Sequence, residues 1–264
     1  MINIMIDDLK KLNYKSFAFV DLISDYYKKY VEQDRIRALK NNGQIVFLSD
    51  EDTVSFKCIS SKIYVPKKAY SIFVELKKSP KYGVNLNNFI KGKDYLNTNT
   101  TYFDYINHVI ECGLDVYDYF EESLLHETMH LCGSDGGHPF KEGINELKTR
   151  ELAQKYNIKI AAMGYSKEVE LAKKFQDIVG KDVMDELTFN SYNFKGACLL
   201  LEKRCGVNIV NLYKNVLDMS DNECGLVLKN AVNSGDPYEK AKIYSEIEYI
   251  ETNKLLDNYL LESK

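Results

Sequence analysis

The chain has no run of eighteen apolar residues, so it offers no membrane-spanning helix of ordinary length. Met1 to Lys15 alternates apolar and charged residues. It lacks the basic start, apolar core and small-residue cleavage site of a signal peptide. Positive charge is not in excess: 35 Lys and Arg face 39 Asp and Glu, a formal net charge of −4, which argues against a nucleic-acid-binding surface as the main function. The six cysteines (Cys58, Cys112, Cys132, Cys198, Cys205 and Cys224) include no CxxC pair, so free thiols are expected rather than a disulfide framework. Tryptophan is absent while tyrosine, lysine and asparagine are plentiful, which reads as base bias of the genome rather than as function. A cytoplasmic protein is therefore expected, with export by a route that leaves no such signal still open.

What is present suits a globular fold. At 264 residues the chain can form one large domain or two small ones. Apolar residues at helical spacing predict a helix from Ser16 to Lys40, stopped by Asn41-Asn42-Gly43. A β-like block follows: Gln44 to Ser49, Thr53 to Ser60, Lys62 to Val65 and Tyr70 to Leu76. Ser79 to Thr101 reads as a long loop, and Thr101 to Leu131 as one or two helices with a break near Gly113. After the turn Gly133 to Pro139, a helix is expected from Phe140 to about Tyr156. From Ser166 onward everything looks helical, with stops at Gly180 and Gly206 and a last helix opened by Asp236-Pro237 with Glu239. The expected class is α+β: a small antiparallel sheet and the motif-bearing helix in a mixed part, residues 1–138, then an all-helical part, residues 139–264.

The chemistry concentrates in Leu124-Leu125-His126-Glu127-Thr128-Met129-His130-Leu131. Histidines four apart lie one above the other on one helix face, where a single metal ion can accept two ring nitrogens. Glu127 occupies the place of a carboxylate that takes a proton from the attacking water. With only four histidines in the chain, chance produces this pattern in roughly one sequence of such composition in a few hundred. His108 has no ligand-like neighbours, and Cys132 sits at a spacing that points to another helix face. Both are expected to be ordinary packing residues.

These residues form the HExxH pattern of zinc metallopeptidases, and the stretch resembles the zincins. A catalytic zinc site needs a third protein ligand, for which three candidates stand: Glu142, Glu146 and His138. The segment Lys141-Glu142-Gly143-Ile144-Asn145-Glu146-Leu147 resembles the Glu-Gly-x-x-(acid) segment of gluzincins. That resemblance implies Glu142 as ligand and Glu146 as the acid that supports a ligating histidine. Eleven residues separate His130 from Glu142, fewer than in the best-known gluzincins. Metzincins show HExxHxxGxxH. Here His126, Glu127, His130 and Gly133 are in register, but His138 comes two residues late, and Ala162-Met163-Gly164-Tyr165 has the look of their methionine turn. The resemblance covers about residues 115–165.

It implies a zincin-like fold, one Zn²⁺ ion, and hydrolysis of a peptide or protein substrate. Endopeptidase action in an open groove is expected, because no acidic motif for a substrate's terminal amine is visible in the chain. Glu127 is the expected general base and Tyr165 the expected second donor to the oxyanion. An edge strand is expected to flank the cleft. Two other classes remain: a zinc hydrolase acting on a non-peptide amide, and an inactive zinc-binding interaction protein. A base at Glu127 favours an enzyme, since a purely structural site has no use for one.

Overall fold

The computed structural model describes residues 2–49, 56–67, 70, 116–133, 139–161, 165–190, 194–217, 249–250 and 252–261. Its elements are α1 (Ile2–Tyr26), α2 (Gln33–Asn41), β1 (Val46–Ser49), β2 (Lys57–Ile59), β3 (Lys62–Pro66), α3 (Val116–Cys132), α4 (Pro139–Tyr156), α5 (Ser166–Val179), α6 (Lys181–Asn190) and α7 (Phe194–Cys205). Residues 207–217 and 252–261 are also helical. Several expectations lie outside the described residues: most of the fourth strand, the loop after Ser79, the Gly113 break, His108, His138, Met163 and the Asp236 helix start. No described helix is long and apolar enough to cross a membrane. Cys58, Cys132, Cys198 and Cys205 are free thiols.

The chain divides into two compact units: Met1–Tyr26, Gln33–Leu131 and Thr149–Met163 in the first, and Tyr27–Glu32, Cys132–Lys148 and Gly164–Lys264 in the second.

In the first unit, α1 buries Leu12, Ser16, Phe19, Val20 and Ile23, a stripe at helical spacing. The single helix expected from Ser16 to Lys40 is instead two. The first begins at Ile2, and the chain turns after Tyr26, where the Tyr27 carbonyl accepts from the amides of Tyr30 (2.8 Å) and Val31 (2.9 Å). Tyr27 and Val31 belong to the second unit and are buried, and their burial outweighs the helical preference of the residues between them. Asn13 ties α1 to the sheet: its Oδ1 accepts from the Ile45 (2.7 Å) and Val46 (3.1 Å) amides, and its Nδ2 donates to the Gly43 carbonyl at 3.0 Å.

The expected antiparallel sheet is mixed, in the order β1-β3-β2. β2 and β3 form a tight antiparallel hairpin in the register Cys58↔Ile63. Ser60 (φ 49) and Ser61 (φ 61) occupy its two-residue turn. Positive φ at both turn positions matches the right-handed twist of the strands. With β2 on one side of β3, β1 takes the other and runs parallel to it, Val46↔Ile63 to Ser49↔Pro66. Strand direction depends on which edge is free, and alternation within a strand carries no such information.

α3 is a core helix. Leu124, Leu125, Met129, Leu131 and Cys132 are fully buried, each large apolar side chain stabilising the fold by roughly 1.5–3 kcal/mol. Its first half packs Phe120 edge-on against Phe56, ring centroids 5.0 Å apart. Thr128, buried on the side away from the two histidines, donates to the Leu124 carbonyl at 2.7 Å and meets Ser16 Oγ of α1 at 3.2 Å. Arg35 of α2 donates from Nε to the Leu131 carbonyl at 2.8 Å. It thereby satisfies one of the carbonyls left open at a helix C-terminus and places positive charge where the helix dipole favours it.

The second unit is built around a cluster in which Phe140, Ile144 and Leu147 of α4 pack with Val169, Ala172 and Phe175 of α5, Met184 and Leu187 of α6, Leu201 of α7, Tyr213 and Leu256. Phe140 and Phe175 meet edge-to-face at 5.5 Å. The helix containing Leu256 is tied to α5 by Lys174, which pairs with Asp257 at 2.7 Å, and Tyr249, ahead of that helix in the chain, donates to Glu170 of α5 at 2.8 Å.

Candidate metal centre

His126 and His130 are placed by helix geometry alone. At 100° per residue, four residues bring the side chain round to nearly the same face, and α3 runs unbroken through both. Both rings are buried, 5% and 6% exposed. Their Nε2 atoms converge to 3.2 Å, and the rings lie 4.9 Å apart at 74°. Two imidazole nitrogens on metal bonds of about 2.0–2.1 Å, at a near-tetrahedral angle, stand roughly 3.3 Å apart. The rings are therefore already spaced for one ion.

Glu142, in the first turn of α4 and half-buried, completes the group. One ligand atom each from His126, His130 and Glu142 lies within 4.8 Å of the others, an arrangement that could hold a metal ion. Two neutral nitrogens and one carboxylate leave a metal of four-fold preference with an open position. Neither Glu146 nor Cys132 belongs to the group. Glu146 is 1% exposed on the same helix, one turn past Glu142. Cys132 is fully buried, as a packing residue would be. Glu127 is half-buried, about 100° round α3 from His126. Tyr165 is 43% exposed, has a left-handed backbone (φ 55), and immediately precedes α5 without capping it by its side chain.

The elements that set α4 in place were not visible as site residues in the chain. Gly143 is the first. A Cβ there would lie 2.7 Å from the Glu168 Cβ and closer still to the Glu168 carbonyl. Only the absence of a side chain lets the first turn of α5 touch α4 beside Glu142. The Gly143→Ala variant gains about 1 kcal/mol of helix propensity and loses about 3 kcal/mol to overpacking against backbone, which no rotamer change can relieve. A net loss of about 2 kcal/mol is expected, a fall in melting temperature of roughly 4–8 °C by circular dichroism. An unchanged midpoint would show that α5 does not rest on this glycine.

The second feature is polarity inside α4. Asn145, Glu146, Lys148 and Thr149 are all buried. Burying polar groups is costly unless they are paired, and Lys148 is paired with Asp185 at 2.7 Å. Elsewhere, burial pushes the Cys198 and Cys205 thiols up, which keeps them protonated and poor metal ligands near neutral pH. No family model, curated protein or solved structure matches the chain.

Proposed function

We propose that the protein is a zinc-dependent metallopeptidase in which His126, His130 and Glu142 hold one Zn²⁺ ion. The observation that carries this is the convergence of the two Nε2 atoms and the Glu142 carboxylate into one cluster, with a carboxylate next to the first histidine in the chain. The donor set, two imidazoles and one carboxylate, is a catalytic rather than a closed structural set. When bound, zinc supplies Lewis acidity and makes water a nucleophile near neutral pH.

The chain's own residues do the rest. Glu127 accepts the proton of the attacking water on its carboxylate and delivers it to the leaving amine. Glu146, buried one turn from Glu142, accepts from the outward nitrogen of a ligating imidazole and fixes its tautomer. Tyr165 donates its phenol proton to the developing oxyanion. The buried surroundings of His126 and His130 exclude bulk water from the ligand nitrogens and strengthen the electrostatics of the site.

The test is metal content and hydrolysis measured on one preparation. Protein purified with zinc is expected to carry one ion per chain and to cleave an unfolded protein substrate. Activity should vanish on treatment with a chelator and return with added Zn²⁺. A chain that takes up no zinc overturns the metal assignment. One that holds zinc and cleaves neither peptides nor simple amides is a zinc-stabilised interaction protein.

A further inference from the structure

Lys148 is the one lysine among the described residues with no exposure at all. It sits on α4, the helix that carries Glu142, and occupies a place in the stripe Phe140, Ile144, Leu147 that faces the core of the second unit. Its ammonium donates to Gln176 Oε1 of α5 at 2.6 Å and pairs with Asp185 Oδ1 of α6 at 2.7 Å. The lysine and aspartate side chains are 0% and 6% exposed. Asp185 also faces Lys181 at 3.4 Å, and the Lys148 carbonyl accepts from the Tyr27 phenol at 3.3 Å. One ammonium thus joins three helices.

A buried ion pair is a poor source of stability. Desolvation offsets most of its attraction, and apolar replacements of similar volume commonly fold as well or better. What the pair supplies is direction. Apolar contact has no bond direction and tolerates small rotations of a helix about its axis, whereas an ammonium bonded to acceptors on two separate helices does not. We infer that Lys148, through Gln176 and Asp185, is a positioning residue that sets the rotation of α4 and so the placing of Glu142 at the metal centre. The inference rests on the metal assignment proposed above.

The lever is large enough to matter. A carboxylate at the end of a helix side chain lies roughly 5–6 Å from the axis, so a rotation of about 20° moves it about 2 Å. Metal–ligand distances tolerate about 0.2 Å. Gly143 pins α4 to α5 by close approach beside Glu142, but a contact without a side chain restrains separation better than rotation. Lys148, six residues past Glu142, lies about 9 Å further along the helix and supplies the missing angular restraint.

The experiment uses the full chain. Thermal midpoints without metal and Zn²⁺ affinities by chelator competition are compared for wild type, Lys148→Met/Asp185→Leu and Gln176→Leu. The double variant is expected to melt within a few degrees of wild type and to bind zinc about tenfold more weakly or worse, the range seen when supporting residues of metal sites are removed. Wild-type affinity in a folded double variant overturns the inference, as does an affinity loss that only tracks a large fall in midpoint. Should the double variant not fold, Gln176→Leu decides, because it breaks one arm of the node and leaves the ion pair. Weakened zinc binding at an unchanged midpoint supports the inference, and unchanged binding refutes it. A wild-type chain that binds no zinc overturns the metal assignment and this inference together, and that result is read before any variant is made.

Discussion

Glu127→Ala is expected to retain its zinc and to lose peptide hydrolysis by about 10²–10⁴-fold, which is about 2.7–5.5 kcal/mol of barrier. The expectation separates ligands from base. His126 and His130 converge on each other through Nε2 and group with Glu142. Glu127 lies on the same turn but is not in that group, so its removal takes no donor from the ion. It takes away the only carboxylate that the chain places directly beside the first ligand. Glu127→Gln is the sharper variant, because it keeps volume and hydrogen bonding while abolishing basicity. Zinc content measured alongside turnover is the check. Undiminished cleavage by either variant would sink the proposed chemistry, and loss of zinc together with activity would move Glu127 from base to ligand support.

Glu142→Ala is expected to weaken zinc binding by more than the 10–100-fold typical of outer supporting residues, with hydrolysis falling in step. The carboxylate is the one oxygen donor in the group, and its neighbours are two imidazoles already about 0.1 Å from ideal spacing. Without it the ion keeps two ligands, too few for a stable site in water. The comparison that gives the result meaning is His138→Ala. If Glu142 is the third ligand, the histidine variant holds zinc as wild type does. Full zinc retention by Glu142→Ala with loss in His138→Ala would reassign the site to a three-histidine set. Thermal midpoints should be recorded for both, since Glu142 is half-buried in the first turn of α4 and its loss must be shown to act on the metal, not on the fold.

Much of the site was legible in the chain because its information is local. The period of the helix is set by hydrogen bonds between residues four apart, so writing His126 and His130 at that spacing already places both rings on one face. The helix from Phe140 to about Tyr156 and the stops at Gly180 and Gly206 were readable for the same reason, and the helices α4, α5 and α7 appear where they were expected. The helix from Ser16 to Lys40 was misread at its turn, where burial of Tyr27 and Val31 overrides local preference. The expected antiparallel pairing holds for β2 and β3 but not for β1, whose parallel pairing with β3 depends on the hairpin having taken the other edge.

Lys148 shows a different kind of limit. It is fully buried on the face of α4 that carries Phe140, Ile144 and Leu147, a place that only the packing reveals. Its partners Gln176 and Asp185 are 28 and 37 residues away, and no spacing rule connects them. Gly143 likewise looked like a motif letter until Glu168 was found against it.

By itself the sequence determined the pair His126–His130 and the carboxylate of Glu127 beside it, because one helix turn is enough to fix their relation. Tertiary structure alone decided that Glu142 comes within 4.8 Å of that pair, and that α4 is held by a glycine contact and a buried ammonium. The reason is physical: a helix fixes the angle between its own side chains, whereas bringing two helices to a common point depends on packing between residues that are distant in the chain.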